Sequence, residues 1–135
     1  MTASDAFVVD TNALVFRATG SRKLGSAARR VFERYDAETV ALYLPAPALA
    51  EVAALEMRGK VQLEGSFRRW WGELQAGGMI GLPLTIDDVL LARDLEWDHS
   101  DWSDRLIVAT ALRLDLPLVT ADRAIAQWGG VDVIW

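Results

Sequence analysis

The stretch that most limits what this chain can fold into is Phe7-Val8-Val9-Asp10-Thr11-Asn12, an apolar run that stops abruptly at a carboxylate, a hydroxyl and an amide. Such a run reads as a buried strand with an acid at its carboxyl end, followed by a turn into a helix. In an open parallel sheet, ligands bind outside the carboxyl ends of the strands, where the strand order reverses. A buried Asp is tolerated there only with a compensating positive charge. Glu51, Asp104 and Asp122 fall where they can reach the same spot. The four acids together point to a divalent metal.

Strand and helix signals alternate along the rest of the chain. Strands are expected at Phe7–Asp10, Val40–Leu44, Met79–Leu82, Leu116–Thr120 and Val131–Ile134. Helices are expected over Asn12–Ala18, Leu24–Tyr35, Pro47–Arg58, Gln62–Leu74, Thr85–Trp97, Asp101–Leu114 and Asp122–Trp128. Pro47 suits a first helical turn, Gly77-Gly78 a helix stop, and Thr85 an N-cap followed by Asp87 and Asp88 in the favourable first turn. This alternation gives an α/β fold with three α/β/α layers around a central parallel sheet of four to five strands. At 135 residues the chain fits one domain over 1–135, with no repeat or linker.

Composition narrows the chemistry. The chain has no Cys, so disulfides, thiolate zinc sites and a Cys nucleophile are excluded. Asp5 and Asp10 interrupt any signal-peptide pattern, and no apolar run is long enough to span a bilayer. A soluble, cytoplasmic protein with no membrane association is expected. The net charge of −5 argues against a general nucleic-acid coat. Yet residues 1–34 are mostly basic (Arg17, Arg22, Lys23, Arg29, Arg30, Arg34), whereas residues 85–115 carry eight acids against Arg93, Arg105 and Arg113. A basic flank beside an acidic pocket suits a phosphate polymer; ordinary solvated helix faces give the same pattern.

Each acid has a structural alternative. Asp10 could close an Asx turn with Asn12. Glu51 shares a helix stripe with Pro47, Ala48, Ala54 and Leu55, where an apolar residue is expected, and a salt bridge would also explain it. Asp104 shares its face with Ile107, Val108 and Ala111, but first-turn placement would stabilise the helix. Asp101 reads as a cap or accessory acid. Asp122 could cap the short helix after it, and Thr120 could orient a ligand or cap. These alternatives do not explain jointly why four acids gather at one end of the sheet. Crowded carboxylates raise one another's pKa, and a hard cation such as Mg²⁺ or Mn²⁺ relieves that repulsion through oxygen ligands.

With these residues in place, the chain resembles PIN-domain ribonucleases, specifically the VapC-type toxins of bacterial toxin–antitoxin pairs. The resemblance rests on Val8-Val9-Asp10-Thr11-Asn12, Ala50-Glu51-Val52, His99-Ser100-Asp101-Trp102-Ser103-Asp104-Arg105-Leu106-Ile107 and Leu116-Pro117-Leu118-Val119-Thr120-Ala121-Asp122. It covers nearly the whole chain. Trp102-Ser103 departs from the Pro-Phe that the family often has there. The resemblance implies that Asp10, Glu51, Asp104 and Asp122 are catalytic metal ligands, with Asn12, Thr120 and Asp101 in support. It implies cleavage of RNA to 5′-phosphate and 3′-hydroxyl ends, a cognate VapB-type antitoxin over the active-site groove, and a homodimer.

Arg17, Arg22, Lys23 and Arg105 are candidates to hold the phosphate backbone. The single His, His99, disfavours a metal-free route through a His acid–base pair. The Leu63–Phe67–Trp70–Trp71–Leu74 stripe is richer in apolar surface than one core-facing helix requires, so a partner surface competes with core packing. Other α/β readings fit less well. A phospho-acceptor receiver domain needs a late Lys, and the last here is Lys60; a haloacid-dehalogenase-type phosphatase needs Asp-x-Asp after the first strand. A non-catalytic PIN-like binding module remains the stronger rival.

Overall fold

Val8 and Val9 have no solvent exposure and Phe7 has almost none. Successive strand residues face opposite sides of a sheet, so both sides of this strand are covered. The structure, a computed structural model, describes residues 5–135; the domain expected over 1–135 and the charge reading of 1–34 reach partly outside them. Five strands form the sheet: β1 (Ala6–Val9), β2 (Ala41–Pro45), β3 (Ile80–Leu82), β4 (Leu118–Val119) and β5 (Val133–Ile134). All neighbours are parallel, in the order β3-β2-β1-β4-β5. The α/β architecture expected from the alternation is therefore the observed one.

The order places the switch point. From β1 the chain builds outward through β2 and β3, then returns to β1's other side for β4 and β5. Val9 is level with Val119, and the Asp10 amide donates to the Val119 carbonyl at 3.0 Å. Asp10 and Thr120 thus leave the sheet side by side.

The helices are α1 (Thr11–Ala18), α2 (Ser26–Asp36), α3 (Ala46–Met57), α4 (Phe67–Ala76), α5 (Ile86–Asp94), α6 (Trp102–Leu114) and α7 (Arg123–Trp128). Their stripes bury Ala28, Val31, Phe32 and Tyr35 from α2 and Ile107, Val108 and Ala111 from α6 in one core with the sheet. Several element ends differ from the sequence expectation, three of them with a visible local cause. Helix α2 starts at Ser26 because Gly25 is extended (φ −65°, ψ 156°) and serves as N-cap. Helix α4 starts at Phe67, where the Ser66 hydroxyl accepts from the Arg69 amide, so Leu63 packs from the preceding segment. Helix α5 stops at Asp94 because Leu95 turns extended (φ −58°, ψ 126°).

The apolar stripe is core. Leu63, Trp70 and Leu74 are buried, and Phe67 and Trp71 pack against the same cluster. The idea that this stripe is a partner surface gives way to that packing.

Candidate metal centre

Asp10 is 3% exposed at the end of β1 and caps α1. Its Oδ1 accepts from the Thr11 amide at 2.7 Å. Its Oδ2 accepts from the Thr120 hydroxyl at 2.7 Å and from Asn12 Nδ2 at 3.4 Å. Thr120 Oγ1 also accepts from the Asp122 amide at 3.0 Å, and Asn12 Oδ1 accepts from the Ala121 amide at 3.0 Å. The carboxyl ends of β1 and β4 are therefore laced together through Asn12 and Thr120.

Burial is the main influence on Asp10 and raises its pKa; the bonds from Thr120 and Thr11 oppose it, while Asp104 and Glu51 add repulsion. The result is a carboxyl pushed up to about 7. The repulsive influence of Asp104 and Glu51 follows from their proximity: Asp10, Glu51 and Asp104 line one cavity of about 250 Å³, with Thr11, Asn12 and Phe16. Glu51 comes from α3, and its Oε1 accepts a very short bond from the Ser103 hydroxyl. Its partner is thus a serine on α6 rather than an arginine. Trp102-Ser103, the local departure from the family's pattern, keeps the helix entry intact and gives Glu51 its support.

Asp104 stands between two groups of side chains. On one side are Asp10 and Glu51. On the other, His99 Nε2 lies 2.8 Å from Asp104 Oδ2. Together with an Asp122 oxygen, one donor atom from each of His99, Asp104 and Asp122 lies within 4.8 Å of the others. Burial raises the Asp104 pKa most; the His99 contact lowers it, and Asp101 and Asp122 raise it further.

The capping alternatives also hold for two of the acids. Asp101 Oδ1 accepts from the Asp104 amide at 3.0 Å, and Asp101 is exposed. Asp122 Oδ1 accepts from the Ala124 and Ile125 amides at 2.8 and 3.4 Å. Capping fixes where Asp122 sits without removing it from the cluster.

Two of the basic candidates are engaged elsewhere. Arg105 is bound to the backbone: Nε donates to the Ala92 carbonyl at 3.0 Å, Nη1 to Trp97 at 2.6 Å and His99 at 3.3 Å, and Nη2 to Leu95 at 2.9 Å and Arg93 at 3.4 Å. A guanidinium so surrounded braces the segment after α5 and is not free to grip phosphate. Arg17 pairs with Asp36 at 2.7 Å and lies over the Phe32 and Tyr35 rings. Arg22 and Lys23 are exposed, and Lys23 Nζ lies 5.9 Å from the ring centre of Phe16 at the cavity wall.

The donor chemistry fits a divalent cation. Three carboxylates share a partly closed cavity, a fourth stands beside Asp104, and the buried Thr11 Oγ1 has no hydrogen-bond partner. Sequence reasoning missed His99 and Ser103 as members of the site. His99 stood inside the motif that carries Asp104, but only the fold of the 95–101 segment turns its ring toward the acids.

Comparison with known proteins agrees with this fold. The PIN domain family matches residues 7–130. No curated protein sequence matches the chain. Among solved structures, a toxin–antitoxin complex from Klebsiella pneumoniae is similar at TM-score 0.69 and 20% identity, over 95% of each chain. VapBC2 from Rickettsia felis, bound to a promoter DNA fragment, is similar at TM-score 0.67 and 13% identity, over 95% of this chain and 96% of that one. VapC20 from Mycobacterium tuberculosis, described as a sarcin–ricin loop cleaving toxin, is similar at TM-score 0.67 and 17% identity, over 96% of this chain and 99% of that one.

Proposed function

The chain belongs to the PIN-domain family, and from that premise we propose that it is a divalent-metal-dependent endoribonuclease, the toxin of a VapBC-type pair, built as one PIN domain over 1–135. The observation that carries this reading is the gathering of Asp10, Glu51, Asp104 and Asp122 around the switch point, with Asp10 pushed up to about 7 by burial and by its acidic neighbours. Carboxylates in that state gain most when a cation replaces the proton.

Asp10, Glu51 and Asp104 would hold Mg²⁺ or Mn²⁺ on the cavity side, and Asp104 and Asp122 on the outer side. A bound ion supplies electrostatic stabilisation to the phosphodiester as charge builds during displacement, and it acidifies water. The chain's own residues do the positioning. Thr120 and Asn12 hold Asp10, Ser103 holds Glu51, and the helix caps hold Asp104 and Asp122. Arg22 and Lys23 stand exposed, Lys23 beside Phe16, where an RNA backbone would pass, so binding weakens with salt.

An antitoxin suits the surface beside the acids. Ala46, Pro47, Ala54, Leu84, Trp102 and Leu106 line an apolar groove of about 610 Å³ that also reaches Glu51 and Ser103. A trailing apolar segment lying there would cover the acids, and the solved neighbours include toxin–antitoxin complexes. Self-association is part of the same reading. No helix among the described residues is long and apolar enough to cross a membrane, which accords with a cytoplasmic role.

The test is cleavage of RNA by the wild type and by Asp10→Asn. The wild type is expected to cut with Mn²⁺ or Mg²⁺ and to stop in EDTA, and the variant is expected to be inactive with its circular dichroism unchanged. Cleavage that survives EDTA, or full activity in the variant, would contradict the reading.

A further inference from the structure

We propose that His99 is a nitrogen ligand of the outer half of this centre, acting with Asp104 and Asp122, and that it favours a first-row transition ion over Mg²⁺. The inference rests on the reading above, in which the acids hold a divalent cation, and adds a ligand and a selectivity to it.

The spacing suits coordination. Ligands about 2.1 Å from a shared ion lie roughly 3.0 Å apart when adjacent and about 4.2 Å apart when opposite in an octahedron. His99 Nε2 and Asp104 Oδ2 are 2.8 Å apart, and the donor atoms of His99, Asp104 and Asp122 all lie within 4.8 Å of one another. The side chains of His99 and Asp104 are 20% and 17% exposed, so an ion and its waters can enter.

The imidazole is also held in place. It stacks on Trp97 with ring centres 4.1 Å apart and planes 4° apart, and Trp97 stacks in turn on Trp128 at 4.8 Å. The Trp128 indole donates to the Glu96 carbonyl at 3.0 Å, and Arg105 binds the carbonyls of Leu95, Trp97 and His99. A ligand whose ring and backbone are both fixed loses little freedom when an ion binds. Mg²⁺ prefers oxygen, whereas imidazole suits first-row transition ions, so one nitrogen tilts the site toward the latter.

The chain contains a single His, which makes the test unambiguous. Tag-free protein is loaded with Mn²⁺ and its pulsed electron-spin-echo modulation recorded. A directly coordinated ¹⁴N is expected in the wild type and absent from His99→Gln, which keeps a hydrogen-bonding side chain near Asp104. Mg²⁺ is expected to displace Mn²⁺ from the variant at roughly tenfold lower concentration than from the wild type. Bound Mn²⁺ with only oxygen ligands, or equal displacement in both proteins, would overturn the role of His99 and leave the carboxylate centre standing. A wild type that binds no Mn²⁺ would overturn the carboxylate centre and this inference together.

Discussion

Asp10 is a buried carboxyl with acidic neighbours. Its folded pKa of about 7 stands against an ordinary value of 3.8. Between those values the native state holds a proton that the unfolded chain has lost, so the metal-free protein loses stability as pH rises from about 4 to about 7. A shift of this size corresponds to a penalty on the order of 4 kcal/mol above pH 7. Asp10→Asn removes the charge and keeps the shape. Urea denaturation in EDTA is expected to show the wild type weakening from pH 5 to pH 8, and the variant losing much less over the same range. A wild type as stable at pH 8 as at pH 5, with the variant no different, would mean that the carboxyl is well solvated.

At the scale of elements, the 95–101 segment shows what pattern reading could and could not deliver. Periodicity located α5 and α6 and placed Thr85 and Asp101 as caps, because capping is a local preference written in neighbouring residues. It ran α5 on to about Trp97, three residues past its end at Asp94. The helix in fact yields to Arg105, which binds the carbonyls of Ala92, Arg93, Leu95, Trp97 and His99. Arg105 also binds the His99 carbonyl, and the His99 ring lies against Asp104, so a contact outside the helix pattern accompanies both the helix end and the extra site residue. Arg105→Met is expected to lower stability by about 2–4 kcal/mol, since it strips charge-assisted bonds from several carbonyls. It should also raise amide exchange in residues 95–100 above that of the sheet. Unchanged exchange there would show that the Trp97–Trp128 stack holds the segment alone.

For the whole molecule, the apolar β1 run and the alternation that follows it were enough to give the α/β class. Asp10 and Asp122 stood out because each follows an apolar strand, and Glu51 and Asp104 because each interrupts an apolar helix stripe. The fate of the basic residues could not be read, since Arg17 and Arg105 meet partners far away in sequence or on the backbone. The tryptophan-rich stripe was ambiguous for a related reason: helix periodicity marks a buried face without saying what buries it. Trp70 is 8% exposed in the core, with the Phe67 ring 5.6 Å away. Trp70→Ser is accordingly expected to cost about 3–5 kcal/mol of folding stability and to leave the mass by light scattering unchanged under folding conditions. Halving of the mass at undiminished stability would restore the stripe as an interface.

In the proposed centre Asp104 lies at the junction of the two groups of side chains, so an ion held on either side would meet it. The most direct measurement is thermal unfolding of EDTA-stripped protein at pH 8 across a Mn²⁺ titration. The wild type is expected to gain several degrees as the ion reaches about a hundred times its dissociation constant, and Asp104→Asn to gain little. A wild-type melting temperature that stays flat across the titration would contradict a cation centre at the end of this sheet.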